Sequence, residues 1–204
     1  MLRVGLTGGV ACGKSTVGAM LAERGAHYLQ ADTLAHQLYA PGAETFDAVV
    51  RTFGRDIVDP NGNINRRRLA NAAFPHRIAE LNAIVHPAVI EAQNCWMADV
   101  ERSDPDGVAV VEAALLVEAG ATKDFDKLIV VTCNLDQKIE RYAQRARISP
   151  GEARAEVLRR SAAQFSDEEK VCFADYIIDN SGSIGNTARQ VDAVWAELRR
   201  IPLH

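Results

Sequence analysis

The sequence predicts a three-layer α/β fold, a parallel sheet flanked by helices, on three observations. Short apolar runs of strand length recur at residues 2–7, 26–30, 108–111, 128–132 and 176–179. Segments of helical period separate them, and that alternation makes neighbouring strands parallel. The first run leads straight into Gly8-Gly9-Val10-Ala11-Cys12-Gly13-Lys14-Ser15-Thr16, which fits the G-x-x-x-x-G-K-[ST] pattern of a phosphate-binding loop.

The loop needs those residue types because a backbone that wraps phosphate oxygens must turn several N–H groups inward with no side chain in the way. Gly8 and Gly13 supply that freedom. Lys14 brings a mobile ammonium to the outer phosphates, Ser15 offers a hydroxyl to Mg2+, and the helix that follows aims its positive N-terminus at the same point. Gly9, Val10, Ala11, Cys12, Gly13, Lys14, Ser15 and Thr16 are therefore the candidate ATP-binding residues, and Val17, Met20 and Leu21 mark the buried face of the helix.

A chain of 204 residues with 48% hydrophobic content can bury one domain with an inserted region. Its net charge of -4 offers no general polyanion surface, so nucleic acid is not an expected partner. The chain starts in a strand without an apolar signal segment, and no apolar run reaches membrane-spanning length, so a cytoplasmic protein is expected. Cys12, Cys95, Cys133 and Cys172 are scattered without metal-ligand spacing and read as reduced, mostly packed thiols. Cys12 alone, at a helix N-terminus, has a reason to carry a lowered pKa and to be sensitive to oxidation; a small residue tolerated in the loop is the other reading.

The first helix ends near Arg24-Gly25, and the second strand runs out at Ala31-Asp32. Open α/β sheets place ligands at the carboxyl ends of their strands, so Asp32 is a candidate to orient or deprotonate an attacking hydroxyl. It serves equally well as N-cap of a helix over residues 33–39. Helical patterns follow over 44–53, 66–74 and 77–85, with a turn at 59–63, and His86-Pro87 reads as the start of a separate helix reaching about Arg102. Residues 33–102 are thus helical where one crossover helix would suffice, which reads as an inserted acceptor-binding region. In it, Arg66-Arg67-Arg68 is a solvated helix face or a site for an acceptor phosphate, and His86 a packing residue or a catalyst.

The third strand ends in Glu112, where phosphate-loop enzymes hold Mg2+ through an acidic residue. A helix over 136–147 carries Lys138, Arg141, Arg145 and Arg147; Arg141 and Arg145, four apart, share a face that either folds over a triphosphate or is plain exposed surface. Ser149 to Glu152 and Ser166 to Glu169 are capping boxes that start two more helices. The terminal helix carries Ile184, Val191, Val194, Trp195 and Leu198 and reads as a packing element only.

The ordered set of motifs resembles the dephospho-CoA kinase family over nearly the full length. It comprises Leu6-Thr7-Gly8-Gly9 and the loop, Ala31-Asp32 with the helix through His36, Asn65-Arg66 before Leu69, and Leu81 to His86-Pro87. Leu115-Leu116-Val117-Glu118, Gln137 to Arg141, and Ala174-Asp175 through Ile178-Asp179-Asn180-Ser181-Gly182 complete it. The resemblance implies a phosphate-loop kinase with a parallel five-stranded sheet, a helical acceptor-binding insertion (33–102), a lid (141–170) and a nucleotide-binding core (1–32, 103–140 and 171–204). It also implies transfer of the ATP γ-phosphoryl to the ribose 3′-hydroxyl of dephospho-CoA, with ATP and Mg2+ required. It makes Asp32 the catalytic carboxylate, supported by Lys14, Arg141 and Arg145, beside the Ser15 and Glu112 already read as metal candidates. Asn180 joins the ATP site, and Arg66, His86 and Leu115 join Asp32 at the acceptor.

Three positions depart from the family pattern. Gln30-Ala31-Asp32 stands where Asp-Ala-Asp is usual, Ala114-Leu115-Leu116 where Pro-Leu-Leu is usual, and Arg145-Ala146-Arg147 lacks an acidic residue. Another phosphate-loop small-molecule kinase, or a nucleotide-binding regulatory protein that has lost catalysis, are the competing readings. Monomer and homo-oligomer are both open.

Overall fold

The structure, a computed structural model, describes residues 1–74 and 76–202, with Ala35 and His36 described in backbone only. The side chain of His36, in the helix that carries part of the resemblance, therefore lies outside the described residues. In chain order the elements are β1 (Leu2–Gly8), α1 (Lys14–Glu23), β2 (His27–Gln30), α2 (Ala31–Gln37), α3 (Glu44–Phe53), α4 (Arg66–Ala73) and α5 (Ile78–Ser103). There follow β3 (Val108–Glu112), β4 (Lys127–Thr132), α6 (Leu135–Ala146), α7 (Pro150–Ser161), α8 (Asp167–Val171), β5 (Tyr176–Asp179) and α9 (Ile184–Leu198). They divide into two compact units, residues 1–30 with 100–204, and residues 31–99.

The first unit holds a five-stranded, all-parallel sheet in the order β2-β3-β1-β4-β5. β1 lies at the centre, and its register sets Leu6 opposite Glu112 and Gly8 opposite Val131, so the loop after β1 emerges between the ends of β3 and β4. Both faces are covered, which is why the strands read as apolar runs rather than alternations. On one face Val4, Leu6, Val110, Ile129 and Ile178 pack with Val17 and Leu21 of α1 and Val191 and Leu198 of α9. On the other, Leu128 and Val130 pack with Leu116 and Val117.

A buried ion pair anchors the stretch between α7 and β5. Lys170, fully buried, donates to the Ala114 carbonyl at 2.8 Å and to Glu118 Oε1 at 2.7 Å. The same Oε1 accepts the Phe165 N–H at 2.9 Å, while Glu118 Oε2 is buried with no partner among the described residues. Burial disfavours the Glu118 carboxylate, but Lys170 and backbone N–H groups outweigh it and hold its carboxyl below the usual range. The Ala114 carbonyl is also met by Thr7 Oγ1 at 3.3 Å, so hydrogen bonds fix a turn where a proline ring is usual. Lys170→Met strands the carboxylate and is expected to cost about 3 kcal/mol, a fall in Tm of roughly 10 °C. Adding Glu118→Gln should recover much of it; urea unfolding of both variants checks this, and an unchanged Lys170→Met midpoint contradicts it.

The second unit is helical. Val49, Phe53, Ile57, Ile64, Leu69 and Ala73 form its core with Leu81, Ile84 and Val85 against them. Asn65 caps α4 by accepting from the Arg67 and Arg68 N–H groups, each at 3.1 Å. No helix among the described residues is long and apolar enough to cross a membrane.

Four sequence expectations need correction. His86-Pro87 starts no new helix; α5 runs from Ile78 to Ser103 with Pro87 inside it. Proline costs the bond to the Ala83 carbonyl, and buried or half-buried residues on both sides, from Leu81 to Met97, hold the helix through that loss. Asp32 is not an N-cap, because α2 already starts at Ala31 and places it in the first turn. Arg147 terminates α6 in the left-handed conformation, φ 56°, instead of extending it. Cys95 and Cys172 are exposed rather than packed, all four thiols being free.

Candidate active site around the phosphate loop

The loop joining β1 to α1 is shaped by its backbone. Ala11 and Gly13 have φ of 54° and 93°, and alternating left-handed residues of this kind turn successive N–H groups into one concavity. A Cβ on Gly8 would overlap the Val131 carbonyl, and one on Gly13 the Asn180 amide, so neither position admits a side chain. α4 and α6 to α9 have side-chain caps; α1 has Gly13 at its N-cap and no side-chain cap. Among the described residues nothing accepts from the N–H groups of Gly13, Lys14 and Ser15, which leaves them for an anion.

Lys14 Nζ donates to the Gly8 and Gly9 carbonyls, each at 3.0 Å, so its ammonium lies on the loop itself. Ser15 Oγ donates to Glu112 Oε1 at 2.9 Å. The second oxygen of Glu112 accepts from the Tyr28 hydroxyl, which in turn accepts from Gln30 Nε2 at 2.8 Å. Burial raises the Tyr28 pKa, and the Glu112 bond adds to it, so the phenol stays a proton donor. Tyr28 fits only because Gly18 of α1 lacks a Cβ that would overlap its ring. Gln30, the departure from the acidic family pattern, thus completes the chain Gln30–Tyr28–Glu112–Ser15.

A paired hydroxyl and carboxylate are hard oxygen donors that fit Mg2+, which keeps most of its ligands as water and phosphate oxygen. No group of three or more acidic, histidine or cysteine side chains that could hold a metal ion gathers among the described residues.

On the far side of the loop, two side chains converge on the Cys12 carbonyl. Asn180 Nδ2 donates to it at 2.9 Å and Arg141 Nη1 at 3.3 Å, while Arg141 Nη2 donates to the Asn180 carbonyl at 2.9 Å. Thr187 Oγ1 of α9 donates to Asn180 Oδ1 at 2.7 Å and fixes which way the amide faces. α9 therefore positions a site residue as well as packing. The Cys12 thiol is fully buried; burial pushes its pKa up against the opposing pull of Lys14, which removes the reason to expect easy oxidation.

Arg145 is exposed and stacks over Tyr142 at 5.3 Å, so it and Arg141 have different partners despite sharing a helix face. Leu115 is 47% exposed in the turn after β3. In the helical unit, Asp32 is exposed with no hydrogen-bond or ion-pair partner among the described residues, and Arg66 is exposed at the start of α4. His86, exposed rather than packed, lines a groove of about 630 Å³ on α5 with Pro87, Ile90 and Asn94. Sequence reasoning missed Tyr28, Asp167 and Thr187 as site neighbours and named Lys138 only as one cation of the basic helix over 136–147; that lysine and a tyrosine two residues before Gln30 were the local signals.

The comparisons with known proteins agree with this geometry. The family model described as dephospho-CoA kinase matches residues 2–186. The dephospho-CoA kinase of Aquifex aeolicus is 42% identical over 204 residues, covering 99% of this chain and all of the relative. Among solved structures, TT1252 from Thermus thermophilus superposes with a TM-score of 0.77 at 32% identity, with 97% of each chain covered. Dephospho-CoA kinase from Campylobacter jejuni does so with a TM-score of 0.69 at 25% identity, again over 97% of each chain. A parallel sheet ending in an intact phosphate loop, matched along nearly its whole length, makes this chain a member of the dephospho-CoA kinase family.

Proposed function

We propose that the chain transfers the γ-phosphoryl group of ATP to the ribose 3′-hydroxyl of dephospho-CoA, giving coenzyme A and ADP in the cytoplasm. The observation that carries this reading is an intact phosphate loop, with Lys14 and the Ser15–Glu112 pair in place, inside a full-length family match.

In this reading the N–H groups of residues 9–16 hold the phosphates, and Lys14 leaves its loop carbonyls to meet the β- and γ-phosphate oxygens. Ser15 and Glu112 would hold Mg2+, which would supply charge neutralisation at those oxygens. Asn180 and Arg141 keep the loop backbone in shape from behind. Asp32 orients the acceptor hydroxyl and takes its proton, while Arg66, His86 and Leu115 offer charge, a polar ring and an apolar contact to the rest of the acceptor. Residues 141–170 act as a lid, whose Arg145 reaches the transferring group on closure.

Two experiments address this. Phosphorus NMR of the product should place the new phosphate on the 3′ position; a 2′ or 5′ product refutes the stated chemistry. Tyr28→Phe removes one hydrogen bond from Glu112, so the Mg2+ concentration for half-maximal activity should rise roughly fivefold with kcat at saturating Mg2+ nearly unchanged. An unaltered Mg2+ titration would detach Glu112 from the metal.

A further inference from the structure

Lys138 and Asp167 form an ion pair directly on the phosphate loop. Lys138 Nζ donates to Asp167 Oδ2 at 2.6 Å, with side chains 11% and 18% exposed. The same oxygen accepts the Cys133 N–H at 3.4 Å. A Cβ on Gly9 would stand 2.8 Å from Asp167 Oδ1 and 3.2 Å from Lys138 Nζ, so the pair rests against Gly9 because that residue has no side chain. The carbonyl of Gly9 already accepts from Lys14 Nζ at 3.0 Å. Two ammonium groups therefore meet one residue of the loop, and Gly9, Lys138 and Asp167 also face a cleft of about 350 Å³.

A carboxylate in that position opposes an incoming triphosphate, whereas the lysine it holds favours one. Arg141 is held differently, its guanidinium bonded to the Cys12 and Asn180 carbonyls and to Cys133 Sγ rather than to a carboxylate. Lysine suits the exchange because its flexible stem lets a point charge pass from one acceptor to another. Resting on the reading of this loop as the ATP site, we propose that Lys138 is a second phosphate-binding ammonium, held by Asp167 and passed to the phosphates of ATP when they enter. No covalent bond changes; Asp167 gives up one charge-assisted bond and turns to water.

The test is calorimetric titration of ATP and AMP into the wild type, Lys138→Gln, Asp167→Asn and the double variant, with Tm recorded for each. Lys138→Gln should weaken ATP about tenfold or more and AMP far less, as loss of one charge-assisted contact predicts. Asp167→Asn frees the lysine and should leave ATP binding as tight or tighter, and the double variant should follow Lys138→Gln. Equal losses in both single variants, with parallel falls in Tm, would make the pair a structural brace and overturn the proposal. Unchanged ATP affinity in Lys138→Gln also overturns it, while leaving the ATP site itself intact. Absence of ATP binding by the wild type would instead remove the underlying reading.

Discussion

Asp32→Asn is expected to lower kcat by about a hundredfold or more while the KM for ATP stays within about twofold. The carboxamide keeps the shape and the hydrogen-bond acceptor of the side chain and loses the ability to take a proton. In the structure this carboxylate stands in the first turn of α2, exposed and without a partner among the described residues. A surface carboxylate with nothing to hold has no evident structural role, so its loss should show in turnover and not in Tm. Steady-state kinetics with Mg-ATP and dephospho-CoA settle the point. Turnover near the wild-type value would remove Asp32 as the base and leave the acceptor to lose its proton to water after transfer.

Lys14→Met is expected to lower kcat/KM for ATP by about a thousandfold. Methionine preserves the length and much of the apolar stem, so the change isolates the ammonium. In the resting loop that ammonium spans the Gly8 and Gly9 carbonyls, and its removal also takes two hydrogen bonds from the loop backbone. The loop shape should persist, because Asn180, itself held by Thr187, and Arg141 hold the Cys12 carbonyl independently of Lys14. The comparison that separates charge from shape is the affinity for AMP, which lacks the outer phosphates. A Lys14→Met variant that loses AMP as severely as ATP would mean the loop had collapsed and the charge was not the cause.

What could be read from sequence was local. The phosphate loop, the five strands and the two Ser-x-x-Glu capping boxes depend on residues within a few positions of one another, and each appears where its pattern placed it. Pro87 misled because a proline is a local signal of helix termination, whereas the continuity of α5 comes from packing along the helix. The contacts that tune the site were out of reach for the opposite reason, even where a residue such as Asn180 was already a candidate. Tyr28 meets Glu112 across 84 positions, Lys138 meets Asp167 across 29, and Asn180 meets Cys12 across 168. Such pairs follow from sheet order and register, and short-range periodicity carries neither. The burial that raises the Cys12 pKa belongs to the same class, since a loop position next to a lysine gives no sign of it.

The central claim is that this chain phosphorylates dephospho-CoA, and acceptor-dependent release of ADP from Mg-ATP tests it most directly. The protein is assayed with no acceptor and then with dephospho-CoA, adenosine, AMP or shikimate in turn. ADP release stimulated by dephospho-CoA alone is the predicted result. ATP bound without stimulation by dephospho-CoA, or stimulation by one of the other acceptors in its place, would contradict it.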